Sequence, residues 1–214
     1  MRVNLQARAA TAEQRRARTR ERLLAAAERV IAETGAPDAS IEAFARAAQV
    51  SRGTFYNYFP TVSDLIEALS WRVAAHMDGL FLEIARRPSG PAERLAASLH
   101  AVLAAYASDP VRGWVALHLA GSGAPRLAYY EKAFHTVFNE AVREGVFRTA
   151  DPTAAATLCF GTLRMLQRDV VSGAPAIQAL PVVALILTAF GVEPDEANRI
   201  SREQAQGVYR TARA

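Results

Sequence analysis

Apolar residues in this chain recur at three- and four-residue intervals, broken by proline and glycine, and nowhere alternate long enough to make a strand. Leu23, Leu24, Ala27, Val30 and Ile31 share one helical face, which predicts a helix over about 19–34 that Gly35 and Pro37 stop. Residues 40–59 predict two short helices joined by a tight turn, with Ser40 capping the first and Ser51 the second. Thr61, with Asp64 three residues on, makes a capping box for a long fourth helix over about 62–86, ended by Pro88. Further helices are expected at about 92–107, 111–120, 125–144, 152–171, 175–190 and 195–209. Asp151 and Pro152 supply an N-cap and a first-turn proline, and Gly145 a C-terminal cap. Pro181 either kinks its helix or marks its true start. The expected fold class is all-α.

Composition adds scale. With 214 residues, 51% of them hydrophobic, the chain can bury a core in one large domain or two modest ones. The formal net charge of +4 is confined to the first 60 residues, which hold ten arginines and six acids; the remainder is balanced. That placement suits electrostatic steering toward phosphate, although Arg alternating with Glu between positions 13 and 33 also suits a plain solvated helix face. Arg8, Arg15, Arg16, Arg18 and Arg20 form a basic arm, either a solvated tail or a segment that enters a minor groove or lies along a DNA backbone. One cysteine, Cys159, permits no intramolecular disulfide and reads as a buried small hydrophobe in a reducing compartment. The N-terminus has no apolar run, and its Arg- and Ala-rich residues read better as the arm than as a transit peptide, so a cytoplasmic location is expected. The most apolar stretch, 179–190, contains Pro181 and is too short to cross a bilayer, so no membrane partner is expected.

The chemistry concentrates in residues 40–59. Phe44, Ala45, Ala48, Val50, Phe55 and Phe59 make an inward cluster that sets the angle between two helices. Facing outward are Ser51, Arg52, Thr54, Tyr56, Asn57 and Tyr58, whose hydroxyl, amide and guanidinium groups suit phosphate oxygens and base edges. Arg52 can fork onto a guanine edge, Thr54 can touch a thymine methyl, and Gly53 lets the backbone come close. Ser51 and the helix N-terminus suit a phosphate. Ser40 and Gln49, at the two ends of the preceding helix, complete the expected DNA-facing set.

Ser-Arg-Gly-Thr-Phe-Tyr-Asn-Tyr-Phe at 51–59, preceded by Ala-x-x-Ala-x-Val at 45–50, closely resembles the helix-turn-helix of the tetracycline-repressor (TetR) family of bacterial transcriptional regulators. The resemblance covers about seventy residues and reaches upstream to Thr-Arg-Glu-Arg-Leu-Leu-Ala-Ala-Ala at 19–27. A looser similarity links Gly145 to Phe147, Asp151-Pro152 and Gly161 to the family's entry into its dimerisation helices. The resemblance implies a flexible arm (1–18), a three-helix DNA-binding domain (19–61) and a helical ligand-binding and dimerisation domain (62–214). It also implies phosphate contacts at Tyr56 and Tyr58, and a base or phosphate contact at Asn57. Two departures stand out. Gln49 occupies a turn position where the family usually has Gly, and a left-handed conformation there would cost roughly 1–2 kcal/mol. Val62 stands where a phosphate-contacting Lys commonly opens the fourth helix.

Beyond residue 70, Trp71, His76, Phe81, His100, Trp114, His118, Tyr130, Phe134 and Phe138 are each at home in a core. The resemblance implies that some of them line a small-molecule cavity. The expected ligand set is Trp71, His100, Trp114, His118, Tyr130, Phe134 and Phe138, with Trp114 and His118 four apart on one face. No nucleophile motif, metal-ligand spacing or Gly-rich phosphate loop appears, so no catalytic residue, metal or cofactor is expected. Expected partners are a double-stranded DNA operator, a small-molecule effector, and a second copy bound through the apolar helices at 152–171 and 175–190. The competing readings are a small all-helical enzyme and a DNA-binding protein without ligand control.

Overall fold

The computed structural model describes residues 2–36, 38–87, 89–120, 125–148 and 151–211, and every regular element among them is helical. Two compact units emerge, Met1–Leu69 and Ser70–Ala214.

The first unit holds α1 (Arg2–Thr34), α2 (Ile41–Ala47), α3 (Arg52–Tyr56) and the opening turns of α4 (Val62–Ala85). Its core is Leu23, Ala27 and Ile31 of α1 with Phe44, Phe55, Leu65 and Leu69, all fully buried. The unit therefore extends past residue 61, the expected boundary. In place of a flexible arm before a helix starting near residue 19, α1 begins at Arg2. Residues 2–18 contain neither Gly nor Pro and are rich in Ala, Arg and Gln, so nothing stops the helix from propagating.

The capping box at the start of α4 is formed as expected: Thr61 N–H donates to Asp64 Oδ2 at 2.8 Å, and Asp64 N–H to Thr61 Oγ1 at 3.1 Å. This helix contributes its first eight residues to one unit and the rest to the other.

In the second unit, α5 (Pro91–Ser108) is the central element. It packs against α6 (Pro110–Leu119), α7 (Pro125–Arg143), α8 (Pro152–Val171), α9 (Leu180–Ala189) and α10 (Pro194–Thr211). Asp151 Oδ1 accepts from Thr153 N–H at 2.8 Å and Ala154 N–H at 3.2 Å, fixing the start of α8. Residues Ala176–Ala179 form a 3-10 turn rather than a first turn of α-helix, so Pro181 marks the start of α9 and does not kink it. Phe138, Phe147 and Phe190 close the core with ring centroids 4.9–5.5 Å apart; burying each such ring contributes about 1.5–3 kcal/mol. Among the described residues no helix is long and apolar enough to cross a membrane.

Candidate nucleic-acid interface and body cavity

The turn between α2 and α3 closes by local hydrogen bonds. Gln49 N–H reaches Arg46 O and Val50 N–H reaches Ala45 O, both at 3.0 Å, the pairing of a helix stop with a left-handed residue after the cap. That residue is Gln49, at φ 55°. The strain expected there is present, and other contacts hold the turn against it. Arg22 of α1 donates to Ala48 O at 2.8 Å, while Ala45 and Ala48 are buried. Val50, expected in the inward cluster, is half-buried.

Ser40 and Ser51 act as caps: Ser40 Oγ accepts from Ala43 N–H at 3.2 Å, and Ser51 Oγ from Thr54 N–H at 3.0 Å. The Ser51 and Thr54 hydroxyls stand 2.8 Å apart. With Ser51 held, α3 presents Arg52, Gly53, Tyr56 and Asn57 as exposed residues, with Thr54 and Tyr58 half-buried beside them. Phe55 and Phe59 turn inward, their rings 6.0 Å apart. A Cβ built on Gly53 would meet nothing nearer than Ser51 Oγ at 3.9 Å, so no packing within the chain calls for glycine there. The gap faces outward.

Arg52 does not stand alone. Its guanidinium pairs with Glu42 at 2.8 Å, donates to Tyr56 Oη at 3.3 Å and lies 5.7 Å from the Tyr56 ring centroid. The Tyr56 hydrogen bond, followed by the charge of Glu42, raises its already high pKa. To fork onto a base edge, Arg52 must leave a carboxylate and a phenol, both solvent-exposed. Solvent screens both partners, so surface pairs of this kind are weak and a bidentate guanine contact can outcompete them. Glu42 was not foreseen from the sequence, because no helical spacing rule links positions 42 and 52.

In the second unit, α4, α5, α7 and α8 surround a cavity of about 480 Å³. Its walls are largely apolar: Phe81, Leu95, Leu99, Phe134, Phe138, Phe160 and Leu163. Asp78, Arg94, Ser98 and Tyr130 are its chief polar groups. Tyr130 Oη donates toward Ala74 O at 2.8 Å and Asp78 Oδ1 at 3.0 Å, which fixes the phenol against α4. Cys159 also lines the wall, its thiol pushed up to about 12 by burial and so protonated at neutral pH.

Of the expected ligand set, Tyr130, Phe134 and Phe138 line this cavity; Trp71, His100, Trp114 and His118 do not. Trp71 is 54% exposed on α4. Trp114 and His118 meet as foreseen, stacked with ring centroids 5.6 Å apart, but on α6, which packs against α5 and α8 away from the lining. His100 lies fully buried on α5, with Nε2 3.1 Å from Ser201 Oγ of α10. The shared face of Tyr130, Phe134, Val137 and Phe138 was visible as a helical period. Asp78, Arg94 and Phe160 carried no comparable signal.

Residues 23–69 match the family model described as bacterial regulatory proteins, tetR family. Among curated proteins, none matches the sequence significantly. RolR in complex with resorcinol is 26% identical, with a TM-score of 0.60 over 88% of this chain and 95% of its own. The fatty acid degradation regulator FadR from Bacillus halodurans is 24% identical, with a TM-score of 0.67 over 81% and 99%. FadR from Bacillus subtilis in complex with stearoyl-CoA is 18% identical, with a TM-score of 0.63 over 87% and 98%. The last two show the shared fold.

Proposed function

Starting from the tetR-family DNA-binding domain that residues 23–69 carry, we propose that this protein is a homodimeric transcriptional repressor, released from a near-palindromic operator by a small molecule held in the body cavity. One observation carries the reading: α4 begins at the capping box beside the reader helix and, sixteen residues on, supplies Asp78, Phe81 and Leu82 to the cavity wall. A ligand there bears on the same helix that leaves the DNA-binding unit.

Two reader helices on a two-fold axis must stand about 34–36 Å apart to enter successive major grooves. A ligand that favours another separation lowers operator affinity, but only through a difference in its affinity for the two states. Four polar groups in an apolar, ring-rich wall suit a mostly apolar, ring-containing or amphipathic effector with one or two polar substituents, since a buried unpaired charge is costly. RolR, the 26% identical relative, is described with resorcinol, a compound of that general kind. The exposed apolar faces of α8 and α9 supply the dimer contact in this reading, and the cytoplasm is the place of action.

The test is a thermal-melting screen of small cyclic and amphipathic compounds, followed by operator release measured by fluorescence anisotropy. A ligand at a hundredfold its Kd adds about 2.7 kcal/mol of stability. Val137 lines the cavity yet is 46% exposed, so Val137→Trp fills the space from its rim. That variant should lose ligand stabilisation and release while keeping ligand-free DNA affinity within about twofold. Failure of every compound to shift either melting or DNA binding would favour the reading without ligand control.

A further inference from the structure

Along the first unit runs a groove of about 840 Å³, with α1 as one wall and α3 as the other. Arg8, Thr11, Arg15 and Arg16 line it from α1, Thr54 from α3, and Asn57 and Tyr58 from the turn that follows α3. The α1 residues recur at three, four and seven positions and so share one helical face. No carboxylate belongs to the lining, although α1 carries Glu13, Glu21, Glu28 and Glu33. Ala7 and Ala12 leave the α1 wall low.

We propose that this groove is a phosphodiester-binding channel that extends the operator contact beyond the helix-turn-helix, a role that rests on the DNA-binding reading. The segment from Arg8 to Arg16 lies wholly before the family match, which begins at residue 23. Because α1 is helical from Arg2, its arginines stand at fixed spacing, with about 12 Å of rise between Arg8 and Arg16. One strand of duplex presents a phosphate every 3.4 Å of axis, so a helix face of that length spans several. The arginines are the donors that matter. Thr11 Oγ1 is already committed to Ala7 O at 2.8 Å, and the guanidinium of Arg16 lies 5.7 Å from the ring centroid of Tyr58, in the turn just after the reader helix. Continuity decides the occupant: Thr54 of α3 and Asn57 and Tyr58 just after it belong both to the groove and to the expected DNA-facing set, so a DNA backbone beside α3 enters the groove directly.

The experiment measures binding of the full-length protein to a fluorescein-labelled 30-base-pair duplex of random sequence, as anisotropy across a salt series. Replacing Arg8, Arg15 and Arg16 together by Gln should make the slope of log K against log salt shallower by about 2.7 for one engaged subunit and about 5.4 for two. Replacing the same three by Lys should preserve most of the slope, because the charge is kept. Replacing three exposed arginines of the other unit, Arg87, Arg143 and Arg202, by Gln should leave it unchanged and controls for net charge. Helical content by circular dichroism verifies that each variant is folded. An unchanged slope in the Arg8, Arg15 and Arg16 variant, or an equal loss in the control, overturns the channel. Wild-type protein that binds no duplex at low salt overturns the DNA-binding reading itself.

Discussion

At His100 a single proton is tied to stability. The Ser201 hydroxyl donates to Leu180 O at 2.9 Å, so its oxygen accepts from the imidazole Nε2–H, and the ring serves as a neutral link between α5 and α10. Burial lowers its pKa to about 4, with the Ser201 hydrogen bond opposing. The unfolded chain takes up this proton near its reference pKa of about 6.5. Stability from His100 is therefore complete above that value, is lost as pH falls from about 6.5 toward 4, and changes no further below it. The loss amounts to about 3 kcal/mol. Urea denaturation at pH 7.5 and pH 4.5 should show His100→Gln losing less stability than wild type over this interval. Equal losses in the two proteins would mean that His100 is not held neutral. At the same scale, Gln49 shows how neighbours override local preference, since its left-handed backbone persists under a turn closed by Arg22, Arg46 and Ala45.

Among the elements, the contact of α6 with α5 and α8 depends on Gly113. A Cβ there would overlap Val171 Cγ1 and stand 3.0 Å from Tyr106 Cβ, while Gly113 O accepts from the buried Gln167 Nε2 at 2.9 Å. The glycine thus allows two helices to approach and a buried amide to be satisfied. Gly113→Ala gains helix propensity of about 1 kcal/mol yet forces the helices apart, an overpacking cost of about 1–3 kcal/mol. We expect net destabilisation by chemical denaturation, with partial recovery in the Gly113→Ala, Val171→Ala double variant. A stabilised Gly113→Ala protein would show that the α6 contact gives way at little cost. The cavity behaves differently: its wall carries side chains contributed by four helices, with rings from α4, α7 and α8, and no one helix forms it alone.

For the whole molecule, the proposed homodimer depends on apolar surface that one chain leaves open. Leu158 and Met165, seven residues apart on α8, are 43% and 52% exposed, and Leu185 on α9 is 67% exposed. Between the first two, a Cβ on Gly161 would meet nothing within 4 Å. A mid-helix glycine costs about 0.5–1 kcal/mol, and its open face suits close approach of another helix. Leu185→Arg should leave the melting temperature of the subunit little changed but halve the mass seen in sedimentation and weaken operator binding by at least tenfold. Leu187, fully buried two residues on, is no such probe, because a charge there would disrupt the core. A folded Leu185→Arg protein that still sediments as a dimer would place the interface elsewhere.

The features that the sequence determined by itself are those whose causes lie within a few residues. Ser40, Ser51, Thr61 with Asp64, and Asp151 fix helix starts through hydrogen bonds no more than three residues long, and the outward set on α3 follows from the inward spacing of Phe55 and Phe59. Tertiary structure decided what depends on convergence. Tyr130 reaches the cavity while Trp114 and His118 do not, although all are aromatic groups on helices in the same part of the chain. The pairing of Arg52 with Glu42, and of Arg16 with Tyr58, arises where separate segments of the chain meet. Leu185 is open and Leu187 buried because a 100° step per residue turns one toward α5 and α10 and the other away, a choice that periodicity permits but only packing makes.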